Sequence, residues 1–97
     1  MARPSSAFAA NRDQVLALAR VHGARNVRVF GSVARGMDRE TSDLDLLVDA
    51  DATVTLFSLA GLELALAQLL GVRVEVRTPM EISRHIRDRV LAEARPL

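Results

Sequence analysis

Three stretches of the sequence have the apolar and polar pattern of β-strands. Val27–Phe30 and Val72–Arg77 alternate apolar and polar residues, as a strand with one buried face does. Leu44–Ala50 is mostly apolar, which indicates a strand covered on both faces. The pattern therefore predicts a small three-stranded sheet.

Two other segments carry the start signals of amphipathic helices. Asn11 precedes the first, with Gln14 as the partner of a capping box, and Gly23 marks its end. Thr78 precedes the second, and Glu81 completes another capping box three residues later. In this last helix the apolar positions fall four residues apart, at Ile82, Ile86 and Val90.

The segment Val54–Leu70, which ends at Gly71, is apolar on nearly every side. A membrane span needs about 20 apolar residues, and Glu63 lies in the middle of this segment, so a transmembrane helix is not predicted. Two interpretations remain open. The segment is a core helix packed on the sheet, or a core helix with one side that also faces a protein partner.

The order of the elements indicates one domain in a chain of 97 residues. Residues 1–10 are expected to form a flexible N-terminal lead-in, and residues 11–97 the domain. A short helical turn over Gly31–Gly36 separates the first two strands. The prediction is an α/β (α+β) fold, in which helices flank the small sheet.

The amino-acid composition excludes several kinds of functional site. The chain has no cysteine, so disulfides, thiolate nucleophiles and cysteine-based zinc sites are excluded. All 13 basic residues are arginine, so a P-loop lysine is excluded as well. A net charge of +1 gives no support for nucleic-acid binding, and no membrane association is expected. Since the N-terminus resembles no signal peptide, the expected location is the cytoplasm.

Asp43 and Asp45 stand at the start of the central strand. Side chains two residues apart on a strand share a face and lie about 6.6–7 Å apart, so these carboxylates converge. They repel unless a cation neutralises them, and a hard divalent ion such as magnesium prefers oxygen ligands. The alternative is that Asp43 caps a turn while Asp45 pairs with an arginine. Asp49, roughly 13 Å further along, is too far to share the ion.

Gly31 and Ser32 end the first strand immediately upstream. Glycine lets the backbone approach a ligand closely, and a helical turn beginning at Ser32 would direct N–H groups and a hydroxyl at an anion. A simple turn with a cap would explain the pair equally well. Together with the two aspartates, however, the pair has the order expected of a phosphate site followed by a metal site.

This motif resembles the signature of the DNA-polymerase-β-like nucleotidyltransferase superfamily. The stretches GSVARG, SDLDLLVD and VRVEV, with the ending RHIRDRVLAEARPL, are similar to the minimal nucleotidyltransferases. The resemblance spans roughly residues 11–97 and implies a small mixed sheet flanked by helices. These domains are often paired as antitoxins with HEPN-domain ribonuclease toxins.

The resemblance also implies an activity and a site. Members transfer AMP from ATP to a hydroxyl, which in the antitoxins is a tyrosine of the toxin. By match to the motif, Gly31 and Ser32 would hold the triphosphate, and Asp43 and Asp45 two Mg²⁺ ions. Glu75 would be the third catalytic carboxylate and metal ligand. Two ions about 3.5–4 Å apart suit an in-line displacement that needs no protein nucleophile.

Two residues keep alternative interpretations. The family more often has aspartate where this chain has Glu75, which either shifts the metal slightly or marks weaker catalysis. Glu75 is otherwise an exposed partner of an arginine on its own strand (Arg73 or Arg77).

Arg35 follows the Gly-Ser pair and is the third candidate for nucleotide binding. It either contacts the triphosphate or pairs with Asp38 or Glu40.

Three hypotheses for the function follow. The first is a magnesium-dependent protein adenylyltransferase that neutralises a HEPN toxin within a hetero-oligomer. The second is a non-catalytic antitoxin or binding subunit that acts by occlusion. The third is a nucleotidyltransferase for a small substrate, which is disfavoured because the chain has no room for a further substrate-binding domain.

Overall fold

A mixed β-sheet organises the computed structural model, which describes residues 3–96. In this part of the chain the strand order is β3-β2-β1-β4; β1 is antiparallel to both neighbours, and β3 is parallel to β2. The strands are Ala24–Phe30 (β1), Leu44–Ala50 (β2), Val74–Arg77 (β3) and Arg95–Pro96 (β4).

The predicted α/β fold with a small mixed sheet is confirmed, with a fourth strand in addition. That strand has two residues, one of them Pro96, and two residues are too few for an alternating pattern that would predict a strand. The α-helices are Pro4–Ala10 (α1), Arg12–Val21 (α2), Leu56–Leu70 (α3) and Arg87–Glu93 (α4), and Pro79–Glu81 forms a single 3₁₀ turn.

The N-terminal segment differs from the expected flexible lead-in, because α1 occupies Pro4–Ala10. Pro4 fits the first turn of a helix, and the side chains of Ala7 and Phe8 are buried in the core. The carboxylate of Asp38, itself buried, accepts a hydrogen bond of 2.9 Å from the Ser5 N–H. This cap comes from a distant residue, so local sequence signals could not reveal it.

The predicted capping box at Asn11 is wrong. Helix α1 ends immediately before Asn11, whose side-chain amide donates to the Ala7 carbonyl oxygen at 2.9 Å. It makes no side-chain capping bond to α2. The amide is used instead to end the preceding helix.

The last predicted helix begins later than expected. Glu81 accepts hydrogen bonds of 3.0 Å from the N–H and the hydroxyl of Thr78, as the box predicted. The helical turn stops at Ile82, which is extended at φ −85° and ψ 136°, and α4 starts only at Arg87. Ile82 and Val90 are nevertheless both buried.

Helix α3 confirms the predicted core helix. It buries Leu59, Leu62, Leu66 and Leu70, and it ends at Gly71 in the left-handed conformation. Phe57 and Leu64 remain exposed on its outer side. Whether that side meets a partner stays a prediction. Among the described residues, no helix combines the length and apolar character needed to cross a bilayer.

The two faces of the sheet are unequal. One face carries Leu44, Leu46 and Val48 of β2 and forms the main core with α1, α2 and α3. On the other, Leu47 packs against Ile82 and Val90 in a smaller cluster. Because alternate residues of a strand face opposite ways, Asp45 shares the thinly covered face with Leu47.

Candidate active site

Asp45 and Glu75 lie side by side on the thinly covered face of the sheet. In the strand register Asp45 is opposite Phe30 of β1 and opposite Glu75 of β3. The three side chains therefore form one row across the sheet. The structure thus brings together two of the carboxylates that the sequence singled out.

The environment of Asp45 disfavours its charge. Burial, followed by the negative charge of Glu75, a hydrogen bond with that side chain and the charge of Asp43, raises the pKa of Asp45 to about 6. Arg77 acts in the opposite direction but does not offset the others. Asp43 is half-buried and acts on Asp45 through its charge.

Glu75 also has an arginine neighbour, as its alternative interpretation expected. Arg77 Nη2 lies 3.8 Å from Glu75 Oε2, and Arg77 Nη1 lies 3.6 Å from Glu63 Oε2. Glu63 additionally accepts a hydrogen bond of 2.7 Å from the Val76 N–H at the edge of β3. Glu63 was missed as a site neighbour, although an acid within the otherwise uncharged helix α3 was the available signal.

Gly31 makes the close approach that only glycine allows. Its φ is +72°, and a Cβ atom at this position would overlap the carboxylate of Asp45. The chain then turns, with hydrogen bonds from Arg35 N to Gly31 O at 3.2 Å and from Met37 N to Ser32 O at 2.9 Å. The predicted Gly-Ser turn therefore lies directly beside the acidic pair.

Glu93 of α4 reaches this turn from the other end of the chain. Its Oε1 accepts hydrogen bonds from Gly31 N and from Arg35 Nη1, each at 2.9 Å. Arg35 therefore pairs with Glu93, a partner that the sequence reasoning did not name, whereas Asp38 serves as the cap of α1. The available signal was spacing, because Glu93 is three residues beyond the buried Val90 and shares its face of the helix.

The donor set fits a divalent cation in its chemistry. Asp43, Asp45 and Glu75 offer only carboxylate oxygens, the ligands that a hard divalent cation prefers. Burial first, and then the charges of Glu75 and Asp43, raise the pKa of Asp45, and the charge of Arg77 does not offset them. As the side chains lie, however, no three acidic, histidine or cysteine residues within 3–96 form a group ready to hold a metal. Asp45 and Glu75 form a pair, and Asp43 does not lie close enough to make it a group of three metal ligands.

A cavity of about 240 Å³ adjoins Glu75. Its walls include Phe30, Ile82 and Ile86, so it combines apolar sides with a carboxylate. A larger cavity of about 480 Å³ lies at the far end of β2 and β3, but none of the predicted site residues lines it. Of the six predicted site residues, Glu75 lines the smaller cavity.

Residues 14–97 match a protein family described as a nucleotidyltransferase domain. A Methanocaldococcus jannaschii protein, provisionally named protein adenylyltransferase MJ0435, is 40% identical over 73 residues, which are 75% of this chain and 78% of that protein. Protein adenylyltransferase MntA of Thermococcus cleftensis is 39% identical over 71 residues, covering 73% of this chain and 72% of that one.

The fold is similar to solved structures as well. One provisionally named a minimal nucleotidyltransferase has 50% sequence identity and a TM-score of 0.85, over 96% of this chain and 95% of the other. A toxin–antitoxin structure with AMP-PNP has a TM-score of 0.76 at 23% identity, over 89% and 71% of the two chains. At that identity the likeness concerns the fold alone.

Proposed function

Because the chain belongs to the nucleotidyltransferase domain family, as its motif predicted, we propose that it transfers AMP from ATP to a hydroxyl of another protein. The observation that carries this proposal is the acidic pair Asp45 and Glu75 beside the Gly31 turn. The names of the two relatives, which are about 40% identical, support a protein as the acceptor.

The acceptor in this proposal is a tyrosine of a cognate HEPN-domain toxin, which the modification silences. The same fold occurs in a toxin–antitoxin structure with AMP-PNP, which is compatible with a toxin as the partner. The exposed Phe57 and Leu64 of α3 are compatible with a hetero-oligomer. The chain would act in the cytoplasm, where ATP and such a toxin meet.

In this proposal the residues have the roles that the motif implies. Asp43, Asp45 and Glu75 would hold Mg²⁺, and Gly31, Ser32 and Arg35 would bind the triphosphate. When bound, the metal supplies charge stabilisation at the phosphates and at the attacking oxygen. The chain's own task is positioning, which is the main catalytic contribution in such transfers.

In the proposed transfer of AMP, Glu75 accepts the proton of the attacking hydroxyl. The acceptor oxygen forms a bond to the α-phosphorus, the bond to the bridging oxygen breaks, and pyrophosphate leaves. The hydroxyl proton passes to the carboxylate of Glu75, which lies at the cavity beside Asp45. The apolar side chains of Phe30 and Ile86 suit an aromatic acceptor such as tyrosine.

Labelled ATP tests the proposal. With magnesium and the HEPN partner, ATP labelled in the α-phosphate should label the partner, whereas ATP labelled in the γ-phosphate should not. The double variant Asp43→Ala plus Asp45→Ala should lose at least about 100-fold in rate, since each metal ligand contributes several kcal/mol in this setting. The control Asp13→Ala removes an exposed acid of α2 and should react like the wild type.

A second candidate function is neutralisation by occlusion without chemistry. The contact of Glu93 with Gly31 and Arg35 favours it, because these donors are already engaged. If the double variant still inhibits the partner and no α-label is transferred by the wild type, occlusion replaces the enzymatic proposal.

A further inference from the structure

One carboxylate of the chain itself occupies the proposed phosphate-binding donors. Glu93 Oε1 accepts hydrogen bonds from Gly31 N and Arg35 Nη1, each at 2.9 Å, and the Glu93 side chain is only 21% exposed. We propose that Glu93 is an internal competitor for the phosphates of the nucleotide, and that a polyphosphate must displace it to bind. The inference rests on the proposed function, since it concerns the same site.

The competition follows from the number of donors. An arginine has five N–H groups, so Arg35 can hold a carboxylate and a phosphate at once. The backbone of Gly31 has a single N–H, and Glu93 uses it. A phosphate oxygen and a carboxylate oxygen are both charged acceptors, so they compete for this donor on equal terms. Contact of the nucleotide with the Gly31 N–H therefore requires Glu93 to leave.

Release of Glu93 also removes a tie between α4 and the turn. Glu93 is the last residue of α4, and beyond it Arg95 pairs with Val29 in the sheet. Val90 of the same helix covers Leu47, and Ile86 lines the cavity beside Glu75. Binding of phosphates would thus release α4 from the Gly31 turn, and α4 is the helix next to the cavity proposed for the acceptor hydroxyl. Glu93 is a positioning residue here, since it acts through Gly31 and Arg35.

Binding of inorganic tripolyphosphate with magnesium tests the competition by calorimetry. Glu93→Ala, which removes the acceptor, should bind it about tenfold more tightly than the wild type, the scale of one hydrogen bond to a charged group. The control Asp88→Ala removes the same charge from an exposed position of the same helix. It should bind as the wild type does, which separates the loss of the contact from the loss of charge.

The outcomes are distinct. Equal or weaker binding by Glu93→Ala, with measurable binding by the wild type, overturns the competition and leaves the proposed function standing. If none of the three proteins binds, the proposed function fails and this inference fails with it. Tighter binding by both variants would assign the effect to net charge and would also overturn the competition.

Amide chemical shifts give a readout that does not depend on affinity or on the stability of the variant. In the wild type, tripolyphosphate should move the amide signals of Gly31 and of Val90–Glu93 together, because displacement of Glu93 affects both ends of the contact. In Glu93→Ala the α4 signals should move far less. A wild-type titration in which Gly31 moves while the α4 amides stay in place would contradict the displacement.

Discussion

Asp45 is the residue on which the electrostatics of the site depend. It is partly buried between Phe30 and Glu75, and the folded protein raises its pKa to about 6. Four residues along the same strand, Asp49 has the opposite environment. The amide of Asn26 and the guanidinium of Arg28 hold the pKa of Asp49 below its usual value. One strand therefore carries an acid beside other acids at the site and an acid paired with an arginine away from it.

The first prediction concerns stability without metal. Folding raises the pKa of Asp45, so the carboxyl binds its proton more tightly in the folded state, and the protein loses stability as the pH rises from about 4 through 6. Asp45→Asn should therefore raise the unfolding temperature at pH 7.5 in a chelator. The gain should shrink as the pH falls and vanish below about pH 3, where the wild-type carboxyl is protonated in both states.

Asp49→Asn is the matched control for this measurement. Its folded pKa is lowered, so the charged form is stabilising above the ordinary carboxyl range, and the variant should unfold at a lower temperature at pH 7.5. If Asp45→Asn also lowers the unfolding temperature at that pH, the account of Asp45 as an acid disfavoured by its surroundings is wrong. Added magnesium should stabilise the wild type and should not stabilise Asp45→Asn.

The second prediction concerns Gly31, which has a positive φ and touches the Asp45 carboxylate. Gly36 has a nearly equal φ of +69°, but a Cβ there would meet nothing within 4 Å. Gly36→Ala should cost only the backbone penalty, about 1–2 kcal/mol. Gly31→Ala should cost more in urea unfolding, because it also displaces Asp45. Equal losses for the two variants would show that the close approach does not matter.

At the scale of the elements, the apolar and polar pattern predicted those helices and strands whose formation depends on local sequence. The alternation and apolar runs identified β1, β2, β3 and α3, and Gly71 ended α3 as expected. The misses depend on distant contacts. Helix α1 is held by the cap from Asp38 and the burial of Phe8, and β4 exists because β1 offers it an edge.

In the candidate site, too, the sequence predicted the features set by local pattern and missed those set by distant contacts. The motif identified the Gly-Ser turn. The two-residue spacing predicted that Asp43 and Asp45 share one face of the strand. The partners Glu63 and Glu93 come from helices, and only the packed fold brings them to β3 and to Gly31. A helix pattern gives the face of each acid, but it does not give the strand residue that the acid meets.

The third prediction tests the cap of α1. Burial opposes the ionisation of Asp38, but the hydrogen bonds from Ser5 and the charge of Arg3 outweigh it and lower its pKa. Asp38→Ala should lose about 1–2 kcal/mol of unfolding free energy, with faster amide exchange in α1. Asp38→Asn should lose less, because its amide oxygen still accepts from Ser5.

The pH dependence of this cap has a definite sign. A lowered folded pKa means that the stabilisation is present above the ordinary carboxyl pKa and is lost as the pH falls through the folded value. The difference between Asp38→Ala and the wild type should therefore shrink below about pH 4. An alanine variant as stable as the wild type at pH 7 would remove Asp38 from the account of α1.

At the scale of the whole molecule, the two faces of the sheet have separate tasks. The face under α1, α2 and α3 supplies the main core, which holds β2 and β3 in register. Within residues 3–96, the 3₁₀ turn and α4 are the elements that cover the other face, which leaves room for charged side chains and a cavity. Rigidity on one side and access on the other is what a transfer that depends on positioning requires.

The central claim is that this chain attaches AMP to a partner protein. The most direct test is the intact mass of the HEPN partner after incubation with the chain, ATP and magnesium, together with the pyrophosphate released. The account predicts a mass gain of one or more AMP units, an equal amount of pyrophosphate, and neither with Asp43→Ala plus Asp45→Ala. A partner that is inhibited while its mass stays unchanged would contradict the claim.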